Sequence, residues 1–265
     1  MTAASTTYGQ LETQLRQRRE LGVKSLVVYL TGGLPGWLDM VRAAADAGAD
    51  AIEIGIPFSD PVMDGPIIQE ASDRALAAGA TPPSILAEAA TLDAGVPLSV
   101  MTYYNLVYRF GLERFAQTAA ESGVCAAILP DLPLEESGEW CAAADAAGIE
   151  TVMLAAPTAP PERLPRICAR ARGFVYGVGL LGITGERDSL ALSALDIAGR
   201  LKAVTDVPVL VGVGISTPQQ AVETCAVADG VIVGSAVVRR ALEVGTPEGV
   251  ADLVAEFRAA LDAKC

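Results

Sequence analysis

The stretch "DAIEIGIPFSDPVMDGP" at residues 50–66 joins two patterns back to back. In its first part, period-two alternation places Ile52 and Ile54 on one face and Ala51, Glu53 and Gly55 on the other, as in a β-strand. The second part is a long loop stiffened by Pro57, Pro61 and Pro66, and it carries Asp60 and Asp64. A strand that ends in such a loop and leads into a helical stretch is one βα unit. Whether the unit repeats decides the fold.

It repeats along the whole chain. Short β-branched runs occur at 25–30, 50–55, 97–101, 125–129, 150–154, 173–177, 207–212 and 229–234, eight in all. Between them lie alanine-rich segments with helical spacing and a terminal glycine, among them "GWLDMVRAAADAGA", "LERFAQTAAESGV" and "PERLPRICARARG". Eight βα repeats predict parallel pairing and a single (β/α)8 barrel spanning residues 1–265, with an extra helix at 8–21 before the first strand and another at 247–262 closing the chain. A doubly wound open sheet arises from the same alternation, and the absence of G-x-G-x-x-G after the first strand argues against it.

Composition narrows the chemistry. The chain has 265 residues, 51% of them hydrophobic, and a formal net charge of −13, which disfavours nucleic acid and anionic membranes as partners. Its five cysteines, Cys125, Cys141, Cys168, Cys225 and Cys265, are odd in number and widely spaced, a pattern that fits a reducing cytoplasm. No apolar run resembles a signal peptide or a membrane span, so a soluble, unprocessed protein is expected. The chain contains no histidine, and its lysines are Lys24, Lys202 and Lys264, none well placed for a Schiff base. Catalysis would therefore rest on carboxylates, tyrosines, hydroxyls and backbone amides, without a metal.

Placed in a barrel, Glu53 points inward near the carboxyl end of its strand, the end where active sites of this architecture lie. Burial there would raise its pKa and suit acid/base work near neutrality, whereas a structural glutamate would accept backbone hydrogen bonds at the barrel rim. Asp60 in "SDP" and Asp64 in "MDG" are each ordinary turn formers when taken singly. Their loop can nevertheless present a carboxylate opposite Glu53. Glycine-bearing stretches at the ends of strands six to eight, "GLLGITG", "GVGIS" and "GSA", put Gly214, Gly234 and Ser235 where barrels hold a phosphate on backbone N–H groups.

Six segments in order, "IEIGIPFSDPVMDGPIIQEASDRALAAG", "MTYYNLVYRFGLERF", "LPDLPLEES", "GFVYGVGLLGITG", "VGVGIS" and "VIVGSA", resemble the tryptophan synthase α-subunit family. The resemblance implies retro-aldol cleavage of indole-3-glycerol phosphate to indole and glyceraldehyde 3-phosphate, with no metal and no organic cofactor. It implies Glu53 as general acid/base and Asp64 as the carboxylate that stabilises charge at the indole N1–H. Tyr176 matches an active-site tyrosine, and Tyr29, Tyr103 and Ile128 would line the indole pocket. Thr184, Gly185, Gly214, Gly234 and Ser235 fall among the substrate binders, the glycines and the serine at the phosphate. Asp60 and Asn105 match positions near the contact with a pyridoxal-phosphate β subunit, which the resemblance implies as partner in an αββα tetramer.

The chain departs from the family pattern in "GVGLLGITGERDSL", in Val213 where an aromatic is frequent, and in Met63 where a small residue precedes Asp64. These departures bear on closure of the loop at 179–190 and on the indole pocket. They leave two alternatives: a stand-alone lyase releasing indole for a specialised pathway, and an inactive regulatory homologue.

Overall fold

The computed structural model describes residues 8–179, 187–212 and 214–263, with the backbone alone for 187–192. The β-branched runs form strands β1 (Ser25–Thr31), β2 (Ala51–Gly55), β3 (Leu98–Met101), β4 (Val124–Ile128), β5 (Glu150–Ala155), β6 (Val175–Gly177), β7 (Val209–Val211) and β8 (Gly230–Val233). Every residue of β1 and β2 is buried, as expected of parallel strands covered on both faces. Neighbours in sequence pair in parallel, and β8 pairs back onto β1 with Val27 opposite Ile232, so the sheet closes. That closure excludes the open doubly wound sheet and leaves no edge strand. The expected strand positions hold to within about two residues at either end, the usual uncertainty of element boundaries.

Twelve helices surround the barrel among the described residues: α1 (Gln10–Glu20), α2 (Trp37–Asp46), α3 (Pro66–Ala77), α4 (Pro82–Ala89), α5 (Tyr104–Phe110), α6 (Leu112–Glu121), α7 (Gly138–Ala147), α8 (Leu164–Arg170), α9 (Arg187–Lys202), α10 (Pro218–Cys225), α11 (Ser235–Glu243) and α12 (Pro247–Asp262). The outward isoleucines of β2 are fully buried, with Ile54 and Ile85 of α4 both lying against Gly32. Thr246 caps α12 by accepting the Gly249 N–H, and α12 packs on α2, α10 and α11. The extra amino-terminal helix α1 buries Leu11 and Leu15 completely.

Three buried carboxylates stand at strand starts, the end of the barrel opposite the mouth, and each is satisfied. Asp50 accepts the Leu26 N–H at 2.8 Å and pairs with Arg18 at 2.7 Å and Arg258 at 3.3 Å. Asp229 accepts the Val209 N–H at 2.9 Å and holds Lys202 at 2.8 Å. Glu150 accepts the Leu11 and Glu12 N–H groups at 2.7 and 2.9 Å, so a strand side chain caps the first turn of α1. Both described lysines are engaged at this end, since Lys24 donates to the Ala228 carbonyl at 2.9 Å. Lys264 lies outside the described residues.

Glu150→Ala removes two charge-assisted hydrogen bonds from the α1 terminus and should lower stability by about 2–4 kcal/mol. Urea denaturation checks this, and an unchanged midpoint would mean that α1 is held by its leucines alone.

Candidate active site

The register Tyr29 opposite Glu53 opposite Ser99 sets these residues side by side across β1, β2 and β3. Glu53 is only 1% exposed, and its Oε2 has no hydrogen-bond partner among the described residues. Burial, and next the neighbouring Asp64 carboxylate, push its pKa up to about 8. This separates Glu53 from the buried carboxylates at the opposite end, each of which accepts backbone N–H groups. A structural rim glutamate would be satisfied in the same way. Glu53 Oε2 is left without a donor among the described residues.

Two glycines shape the cavity around it. A Cβ on Gly55 would run into the hydroxyl end of Tyr29, and one on Gly212 would run into that of Tyr176. Each glycine thus vacates the volume that a tyrosine from the adjacent strand occupies. Both tyrosines are buried, and their pKa values are raised by burial first and then by the carboxylates of Glu53 and Asp64. These mutual effects place Tyr29, Tyr176, Glu53 and Asp64 around one space.

Asp64 arrives from the loop between β2 and α3. Its own N–H donates to the Pro61 carbonyl at 3.0 Å, its carbonyl accepts Gln69 Nε2 at 2.8 Å, and Pro66 opens α3 immediately after. The side chain is half-buried, and its pKa rises to about 6, with burial raising it and the Tyr103 hydroxyl pulling it down. Tyr103 is itself buried at the end of the segment after β3, with its ring 5.1 Å from that of Phe58. Asp60 is exposed and bonded to Ser59 Oγ at 2.6 Å, so the two loop aspartates part company: Asp64 faces Glu53 and Asp60 faces solvent.

Ile128 is fully buried at the end of β4. Gly214 follows β7 with φ +85°, exposed to solvent, and Gly234 precedes α11, whose first residue is Ser235. Among the described residues the α11 terminus has no side-chain cap, and Gly234 packs beside Tyr29, which stands next to Glu53 in the sheet. Asn105 lies exposed on α5. Thr184, Gly185, Val213 and most of the loop at 179–190 lie outside the described residues.

Sequence reading missed two residues that hold the site, Gln69 and Asp131. Asp131 Oδ1 accepts the Tyr104 N–H at 2.9 Å and so tethers the start of α5 to the loop after β4. Its setting between Pro130 and the "LP" that follows was the available signal. Also unforeseen is a cavity of about 410 Å³ beside the mouth, lined by Met63, Leu132, Met153, Leu154 and Val178 among others.

The family model described as tryptophan synthase alpha chain matches residues 15–262. The chain belongs to the tryptophan synthase alpha chain family. It is 43% identical over 260 residues to the tryptophan synthase alpha chain of Thermobifida fusca, covering 96% of each chain. With that of Methanosarcina mazei it shares 46% identity over 237 residues, 88% of this chain and 85% of the relative. Among solved structures, Mycobacterium tuberculosis tryptophan synthase in space group F222 superposes with a TM-score of 0.88 at 36% identity, covering 96% of this chain and 99% of that one. The alpha subunit from Legionella pneumophila strain Paris gives 0.86 at 32% identity, covering 97% and 100%.

The family cleaves indole-3-glycerol phosphate, a lyase reaction of tryptophan biosynthesis. These relatives and structures carry the alpha-subunit role and give no support to a stand-alone lyase or an inactive homologue. Among the described residues no helix is long and apolar enough to cross a membrane.

Glu53 ties the site to stability. Its pKa is raised from 4.5 in the unfolded chain to about 8 in the fold, so the folded state binds more protons across that window. Stability should therefore fall as pH rises from 4.5 to 8 on account of this group. Glu53→Gln, neutral throughout, should melt above wild type at pH 8, with the gap closing towards pH 5. Equal melting temperatures at both pH values would show that Glu53 is not desolvated.

Proposed function

We propose that the whole chain is one catalytic domain in which Glu53 and Asp64 carry out the cleavage of indole-3-glycerol phosphate. The observation that carries this is the buried Glu53 carboxyl at the mouth of the barrel, its Oε2 without a hydrogen-bond partner among the described residues, electrostatically coupled to Asp64. Protonated Glu53 gives its proton to indole C3, and the nitrogen lone pair moves into the ring to form a cationic indolenine. The Asp64 carboxylate, directed at the N1–H, stabilises that charge. Glu53, now ionised, takes the proton of the hydroxyl on the carbon attached to C3. A carbonyl forms there, the bond to C3 breaks, and its electron pair restores the aromatic indole. Glyceraldehyde 3-phosphate leaves, and Glu53 ends protonated as it began.

The indole ring is assigned to the space between Tyr29, Tyr103, Ile128 and Tyr176. The phosphate is assigned to the N–H groups at Gly214, Gly234 and Ser235, with Thr184 and Gly185 added by resemblance. A backbone cradle suits a mouth whose described lysines are both committed at the opposite end. No cofactor is needed for the proton transfers as drawn.

The partner is proposed to be a β subunit, and the compartment the cytoplasm. Support for docking comes from the rim around the mouth, where Val62 is 80% exposed and Tyr108 63% exposed beside Asn105, with Asp60 and Met63 on the same loop as Val62. Exposed apolar side chains set among polar ones are the mark of an interaction surface.

Glu53→Gln should reduce kcat by about 10²–10⁴ while phosphate-ligand binding is retained, and wild-type turnover would remove Glu53 from the mechanism. Asp64→Asn should lose about 10²–10³, and a normal rate would return Asp64 to turn formation. The mechanism needs Asp64 ionised and Glu53 protonated, so kcat/KM against pH should be bell-shaped with limbs near about 6 and about 8. A profile flat between pH 5 and 9 would contradict the assignment. Indole release should accelerate when a cognate β subunit is added, whereas full speed without one would select the stand-alone lyase.

A further inference from the structure

We propose that Tyr103 is a positioning residue for Asp64: its hydroxyl grips the backbone next to the carboxylate and turns its own proton toward it. The inference rests on the reading of Asp64 as a working group of the site. It concerns how Asp64 is held, which is a different duty from lining an indole pocket.

Tyr103 Oη accepts the Met63 N–H at 2.9 Å. That bond joins the residue immediately before Asp64 to a side chain 40 positions away, across the gap between the loop after β2 and the segment after β3. With its acceptor role used, the hydroxyl has one proton to donate. The Asp64 carboxylate, on the residue next to that backbone bond, is the acceptor assigned to it, in keeping with the downward pull of Tyr103 on the Asp64 pKa against the effect of burial. Among the described residues, the titratable groups that face Asp64 from the elements around it are Glu53 on β2, Tyr29 on β1, Tyr176 on β6 and Tyr103 itself. All are acids, so the Tyr103 hydroxyl is the group among them that favours the ionised form of Asp64.

The tyrosine has its own supports. The Phe58 ring lies against it at 5.1 Å, and the next residue, Tyr104, is fixed because its N–H donates to Asp131 Oδ1 at 2.9 Å. On the far side of Asp64, Gln69 Nε2 holds the Asp64 carbonyl at 2.8 Å. The carboxylate is thus suspended between two anchors. One lies in the first turn of α3, and the other belongs to the adjacent strand–loop segment. A proline-stiffened loop limits how far Asp64 can wander, and the hydroxyl selects where it stops.

The test is Tyr103→Phe, which keeps the ring and removes the hydroxyl alone. The expected result is a fall in kcat of about 10-fold or more, the range of a lost charge-assisted hydrogen bond. KM should stay within about twofold, because the apolar wall is preserved. The acid limb of the pH profile should move up, since the group favouring ionised Asp64 is gone. Asp131→Ala, which frees the Tyr104 N–H, should shift kcat and the acid limb in the same directions by a smaller amount and gives a second route should Tyr103→Phe fold poorly. Wild-type kcat with an unmoved acid limb in Tyr103→Phe would overturn the proposal, as would a rise in KM alone. Normal turnover in Asp64→Asn would instead overturn the reading of Asp64, so the two failures are distinguishable.

Discussion

The desolvated carboxyl group of Glu53 is the constraint on which the site depends. A carboxylate kept from water, with one oxygen lacking a donor among the described residues, resists ionisation, so it can carry a proton at neutral pH and still accept one back. Strand alternation aims it inward, closure of the sheet removes water from around it, and the Tyr29 and Tyr176 rings fill the volumes left open by Gly55 and Gly212. The same burial acts on Asp64 less strongly, because its loop leaves it half-exposed and Tyr103 favours its charged form. Two carboxyl groups with separated pKa values can divide the labour of acid and charge stabiliser.

The opposite end of the barrel shows what buried carboxylates look like when their task is to hold the fold. Asp50, Asp229 and Glu150 each accept backbone N–H groups, and the two aspartates also hold cations. They tie strand starts to one another and to α1 and α12. Those bonds offset part of the instability that an unsatisfied group at the mouth introduces, and they do so far enough away that the mouth stays free for chemistry.

The barrel was legible because period-two alternation and glycine-terminated helices recur at regular spacing, and local pattern sets local structure. Glu53 was legible for the same reason: a charge on the inward face of a strand is a conflict visible in sequence. The division between Asp60 and Asp64 was harder to read, since aspartate serves turns and sites equally well, and the resemblance to known alpha chains carried that choice. Gln69, Asp131 and the Met63–Tyr103 bond were not legible. They depend on contacts between segments distant in sequence, and the Met63 bond is made by a backbone N–H, which every residue except proline possesses.

That last point changes the meaning of Met63, which the sequence reading set apart as a departure from the pattern it resembles. Tyr103 binds the Met63 backbone and leaves the side chain free, so the loop keeps its anchor whatever non-proline residue occupies the position. The methionine side chain is partly exposed and forms part of the wall of the cavity beside the mouth. Being unbranched and polarizable, it fills or vacates space readily. The methionine side chain therefore shapes the approach to the site, between the loops after β2 and β4, while the backbone bond beneath it anchors the loop that carries Asp64.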